Sequence, residues 1–298
     1  MSFRTDLAME ALELTERGGR RLSEQQGVSR EVSEIEGFEV TRVHILNEEG
    51  ARAVGKPRGF YDTLDLGALI RRENDAFPRA CTALSSLLAE LLRDAGDGPA
   101  LVVGLGNRSI TPDAVGPLAC EHVIATRHLV EQTPQYFASW RPVATVAPGV
   151  LGQTGVETGE IVQGVMDRIK PAAVVAIDAL ACGRLSRLLH TIQLSNTGIV
   201  PGSGVGNARF ALDRRTLGVP VVAIGVPTVV DGATLAHEIA DQTGVSRCEA
   251  LDDLATPVVV TTRDIDREVR DVSRVIGYSV NKALHPHLSI EDIDLFLS

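Results

Sequence analysis

Aromatic residues are scarce in this chain. Phe, Trp and Tyr make up 4% of its 298 residues, with a single tryptophan, which leaves little for stacking nucleobases or lining a sugar cleft. Positive charge is short as well. The formal net charge is -10 and no basic run stands out, which argues against direct nucleic-acid binding. The four cysteines, Cys81, Cys120, Cys182 and Cys248, lie far apart and form no CxxC pair. They are expected to be reduced thiols in a cytosolic protein. Long apolar runs are missing: residues 219–230 contain Gly and Pro and are too short to span a bilayer. The N-terminus carries charge throughout and has no apolar stretch of the kind a secretory signal needs. A soluble, cytoplasmic chain is expected.

Several catalytic signatures are lacking too. GLGN at residues 104–107 has no third glycine to complete GxGxxG, and no GK[ST] follows any glycine run. A tight backbone turn that aims Asn107 and Asp113 is the more economical reading than a phosphate loop. PGSGVGN at 201–207 holds Ser203 but no GxSxG context, so no His or Asp partner is assigned to it. The seven histidines are dispersed and form no HExxH, so a dedicated zinc site is not expected.

What the chain does have is apolar strand-formers, with hydrophobic residues at 44%, enough for a sizeable core. Residues 1–36 are polar and charged, with a helix possible over 7–16. Strands are predicted at 40–46 and 60–66, and leucines at helical spacing over 80–95 predict an amphipathic helix. From residue 99 strands alternate with helices. Strands are expected at 100–105, 142–147, 172–177, 190–195 and 219–226, and helices at 157–170 and 263–284. That alternation predicts an α/β fold with a mostly parallel twisted sheet flanked by helices, plus an extra N-terminal strand/helix region. Residues 237–257 read as a connection.

Two aspartates sit at the ends of very apolar strands. Asp113 follows ALVVGLG in residues 100–117, and Asp178 interrupts AAVVAIDALA in residues 172–181. A carboxylate among Val, Ile and Ala destabilises the fold unless something partners it. Strand ends are also where α/β sheets place their ligands. Asp113 would fall near the second position of a helix N-capped by Thr111, where backbone amides stabilise a carboxylate without any catalytic role. Asp178 could be paired by Arg184 or Arg187. If the two converge, like-charge repulsion raises the pKa of one, giving an acid–base pair. The glycine-bearing loops at 148–157 and 201–207 are either surface connections or docking points for an extended peptide.

The strings VGLGNRSITPDAVGP, TRHL, PGVLGQTGVET, AIDALA, TIQLSNTGIVPGSGVGN and LGVPVVAIGVPTVVD, in that order, resemble the spore germination protease family. The likeness is dense from about Gly59 to Asp231 and resumes weakly in VTTRDIDREV and NKALH. It implies an endopeptidase that degrades small acid-soluble proteins in germinating spores, located in the forespore or spore core. It further implies an atypical aspartic protease whose two functional aspartates are Asp113 and Asp178, with no cofactor, no metal and no nucleic-acid partner. The implied fold is similar to that of hydrogenase maturation peptidases, and the implied assembly is a homotetramer. The family is made as a self-processing zymogen, and Arg4-Thr5-Asp6-Leu7-Ala8 matches its processing site. A cut between Asp6 and Leu7 is implied, leaving 1–6 as propeptide and 7–298 as a single peptidase domain. The chain departs from the family at Cys182-Gly183 and His190 and in a shorter 237–257 segment. A metal-dependent peptidase of the hydrogenase-maturation type and a non-catalytic binder of spore proteins are the alternative readings.

Overall fold

The computed structural model describes residues 5–17, 22–23, 26–200, 210–243 and 258–298. The 201–207 loop with Ser203, Cys248, Arg4 and residues 244–257 lie outside the described residues, and the described start of the expected 237–257 connection is instead the end of a helix, Gly232–Thr243. Among the described residues nine strands form one sheet: β1 (Val28–Ile35), β2 (Phe38–Ile45), β3 (Gly59–Asp65), β4 (Ala100–Gly104), β5 (Val143–Val146), β6 (Ala173–Cys182), β7 (Thr191–Ser195), β8 (Val221–Asp231) and β9 (Val259–Val260). Their order is β1-β2-β3-β7-β8-β6-β4-β5, with β9 beside β8.

The expected α/β class is present, but the sheet is mixed rather than mostly parallel. Only β8, β6, β4 and β5 pair in parallel. The pairings β1–β2, β2–β3, β3–β7, β7–β8 and β8–β9 are antiparallel. Two short connections explain the difference. Glu36 and Gly37, both at positive φ, close a two-residue hairpin between β1 and β2, the turn that matches strand twist. Residues 183–190 between β6 and β7 hold one 3₁₀ turn, Leu185–Arg187. That is too short for the crossover a parallel return requires. Strand β1 went unread because it is an edge strand with a mostly exposed, charged surface, so it carries no apolar alternation.

One face of the sheet is dry. Val102, Ala173, Val175, Ile177, Ile192, Leu194, Val222 and Ile224 pack there with the helices Ala76–Leu91 and Ile265–Leu284. Leu84, Leu87 and Leu88 are core, as their spacing implies. The opposite face is apolar at Val174, Ala176 and Val221, beneath the helix Thr158–Ile169. Toward the strand ends that face changes character and carries Asp178, Thr191, Gln193 and Ser195, all buried.

Candidate active site

Strand β4 ends in Gly104, and the chain turns at once. Gly106 has φ near 110°, and a Cβ there would meet Asp113's carbonyl oxygen at 2.0 Å. Glycine is therefore required for the turn to close on Asp113. Asn107 N donates to Asp113 Oδ2 at 2.8 Å, so the loop aims these two residues at each other. The expected helix start at Thr111 is instead a 3₁₀ turn, Thr111–Asp113, and the helix proper is Val115–Cys120. Thr111 does not cap it: its hydroxyl bonds Asp266 at 2.7 Å. Asp113 therefore precedes the helix, half-buried, facing a cavity rather than a row of helix amides.

The far side of this turn is tied to β8. Opposite Leu180/Ala181 the β6–β8 register shifts by one residue at Thr228. The bulge directs Thr228 Oγ1 onto Pro112 O at 2.6 Å, the re-aiming role bulges take near sites. Asp178 lies in β6, buried, with Oδ1 accepting its neighbour's amide, Ala179 N, at 2.9 Å. Arg184 and Arg187 do not partner it. Arg187 pairs with Glu13 at 2.6 Å and Glu10 at 3.3 Å, and Arg184 with Glu13 at 3.0 Å.

Asp113 and Asp178 thus converge on one cavity of about 280 Å³, shared with Asp6, Ile110, Pro112 and Thr228. Burial holds the Asp178 carboxyl well above the ordinary carboxylate range, and the charge of Asp113 pushes it further. Burial also raises Asp113, against the lowering effect of the Asn107 amide. The like-charge repulsion expected if the two converge acts on Asp178, which the Asp113 charge raises.

The N-terminal segment enters the same cleft. Asp6 N donates to Ala181 O, and Ala181 N donates to Asp6 Oδ2, both at 2.9 Å. Leu7 is fully buried against Leu180, Cys182, Leu188 and Val230. Lys56 Nζ reaches Thr5 O at 3.4 Å. The helix Ala8–Arg17 that follows is fixed by its acidic face. Glu10, 1% exposed, accepts from Gly183 N at 2.6 Å and Thr5 Oγ1 at 2.5 Å. The Cys182-Gly183 departure from the family pattern therefore falls where a backbone amide anchors the N-terminal helix.

Sequence reasoning missed Gln193, Thr228 and Glu10. TIQLS alternates polar and apolar, which reads as a strand with one face in water. In the structure Thr191, Gln193 and Ser195 are buried beside the cleft. Only an unusual demand, a glutamine inside a central strand, could have marked it.

Comparison with known proteins gives the cleft its context. Residues 7–243 match the family model described as germination protease. The chain belongs to the germination protease family. A germination protease from Caldanaerobacter subterraneus subsp. tengcongensis is 42% identical over all of this chain and 98% of its own length. One from Clostridium perfringens is 41% identical over all of this chain and 99% of its own. One from Bacillus pumilus is 43% identical over 80% of this chain and 66% of its own. Membership of the germination protease family makes the chain a peptidase, a hydrolase of spore germination. Among the described residues, no helix is long and apolar enough to cross a membrane.

Proposed function

We propose that this germination protease is an aspartic-type endopeptidase whose catalytic pair is Asp113 and Asp178, and that its first cut is its own Asp6–Leu7 bond. The observation that carries this reading is that Asp6 lines the cavity both aspartates line, bonded through its backbone and side chain to Ala181, with Leu7 buried beside it. In that arrangement one aspartate is ionised and takes a proton from water as the water oxygen attacks the peptide carbonyl. The other, kept protonated, gives its proton to the leaving nitrogen. The raised Asp178 carboxyl suits the proton-holding member, although the pair shares its titration.

The seated segment also supports a substrate preference. Ala181 N binds the acidic side chain before the cut, and an apolar pocket buries the leucine after it. Small acid-soluble spore proteins, cut after an acidic residue within acidic–apolar–alanine stretches, are the substrates proposed here. Residues 1–6 are the propeptide. Losing them vacates the cleft for a substrate of the same pattern. Residues 7–298 form a single peptidase domain, acting in the forespore or spore core as a homotetramer.

The test is mass spectrometry of the full chain, with and without a small acid-soluble spore protein. Wild type is expected to lose residues 1–6 and cut the substrate after an acidic residue. Asp178→Asn and Asp113→Asn should each slow both reactions at least about 10³-fold while melting cooperatively. A full-rate Asp178→Asn chain would refute the assignment.

A further inference from the structure

Gln193 touches both sides of the Asp6–Leu7 bond. Its Oε1 accepts the amide of Ala8 at 2.7 Å, and its Nε2 donates to the carbonyl oxygen of Asp6 at 3.4 Å. The two partners fix the orientation of the side-chain amide. A backbone N–H only donates and a carbonyl only accepts, so Oε1 must face Ala8 and Nε2 must face Asp6. The side chain is buried on a central strand, with 8% of its surface exposed, so it stands in fixed relation to the cleft.

The sheet register aligns it with the acid pair. Asp178 on β6 and Gln193 on β7 are both directly opposite Gly225 on β8. Residues directly paired across strands present side chains to the same face. Asp178 and Gln193 therefore share one face in one cross-strand row, two strand spacings or ~10 Å apart. The residue between them has no side chain. A Cβ on Gly225 would lie 2.3 Å from Leu180 Cδ1 and 2.6 Å from its Cγ, so the Leu180 side chain lies over Gly225 in the space a side chain there would take. The chain's own Asp6 reaches both groups: it lines the cavity of Asp113 and Asp178, and its carbonyl oxygen accepts from Gln193 Nε2.

On the reading that Asp6–Leu7 is the scissile bond, we infer that Gln193 is a further catalytic residue: its Nε2–H stabilises the negative charge that forms on the carbonyl oxygen. The step balances without any other reactant. The water oxygen bonds to the Asp6 carbonyl carbon, giving one proton to the ionised aspartate. The carbonyl π pair moves onto the oxygen that Gln193 holds. That pair returns as the C–N bond breaks, and the Leu7 nitrogen takes the proton of the other aspartate. A donor aimed where charge develops lowers the barrier more than it tightens ground-state binding. Oε1, gripping Ala8 N–H, keeps the leaving side in register during the step.

The test uses the full chain and follows loss of residues 1–6 by mass spectrometry. Gln193→Glu keeps an acceptor for Ala8 and removes the donor to Asp6; Gln193→Leu removes both at similar volume. Hydrogen exchange at the Ala181 amide reports whether the segment is still seated, because that amide is held by Asp6. Both variants are expected to process about 10²–10³-fold more slowly, with Ala181 protected as in wild type. Processing of Gln193→Leu within threefold of wild type would overturn the role. So would slow processing accompanied by loss of Ala181 protection, which would make Gln193 only a seat for the segment. A wild-type chain that never cuts Asp6–Leu7 would overturn the reading beneath it, and this inference with it.

Discussion

At the carboxyl of Asp178, stability and the proposed chemistry pull apart. Burial, then the charge of Asp113, holds it above the ordinary range, so the folded chain binds its proton more tightly than the unfolded one. The sign follows from linkage. This group favours folding below the unfolded value of about 4 and opposes it as pH rises toward the raised value. Asp178→Asn should therefore raise Tm at pH 7 by roughly 2–6 °C, with the gain shrinking toward pH 4. Melts at the two pH values check this, and equal gains at both would refute it. Gly116 is the opposite kind of residue, with no chemistry but no tolerance. A Cβ there would meet Leu105 O at 2.3 Å and Ile177 O at 2.5 Å, both backbone atoms. Gly116→Ala is expected to cost about 3 kcal/mol and to displace the Asp113 turn, read as a lower urea midpoint together with lost cleavage.

At the scale of elements, the N-terminal helix is held by charge rather than by its length. Ala8–Arg17 is a ten-residue helix, marginal alone in water, yet Glu10 and Glu13 clamp it to Arg184 and Arg187. Arg187→Met leaves Glu10 buried without its cation. We expect a loss of about 3 kcal/mol in urea unfolding, and slower removal of residues 1–6 because the segment ahead of the helix loses its anchor. The C-terminal elements carry a different sensitivity. His285 is buried against Trp140, and among the described residues neither ring nitrogen has a hydrogen-bond partner. Burial, then His287 and Arg141, lowers it to about 4. Its contribution is complete above about 6.5 and is lost as pH falls through 4. The fluorescence of Trp140, the only tryptophan in the chain, should show a transition near pH 4 that His285→Leu removes. Survival of that transition in the variant would place its origin elsewhere.

The whole molecule is built around one sheet whose dry face is continuous from Phe38 through Ile293. The antiparallel half and the parallel half share β8, which pairs with β7 on one side and β6 on the other. A core that crosses both halves predicts one cooperative unfolding event. Trp140 fluorescence near β5 and far-UV circular dichroism should trace coincident thermal transitions. Two separated midpoints would show the halves to be independent units. The exposed edge at β1 carries Arg30, Glu31 and Glu34, charges that discourage strand addition there.

Most of what is local was legible in the sequence. Leu84, Leu87 and Leu88 declared a buried helix face. The strands at 100–105 and 172–177 declared themselves by unbroken apolar runs, because burial on both faces leaves no polar position. Asp113 and Asp178 stood out because carboxylates in such runs need a reason. Sheet direction was not legible beyond residue 183, since periodicity records burial and not the sense in which a strand runs. Gln193, Thr228 and Glu10 were silent for a related reason. Each is ordinary where it stands in the chain and acquires meaning only from partners 185, 116 and 173 residues away. The sequence alone determined most of the elements, much of the core and the two carboxylates, because those depend on neighbours within a few residues. Only the tertiary structure decided that the carboxylates share a cleft, that the chain's own Asp6 lies in it and that a glutamine holds the backbone on both sides of the Asp6–Leu7 bond. Cross-strand register is fixed by packing between distant segments, and no local pattern encodes it.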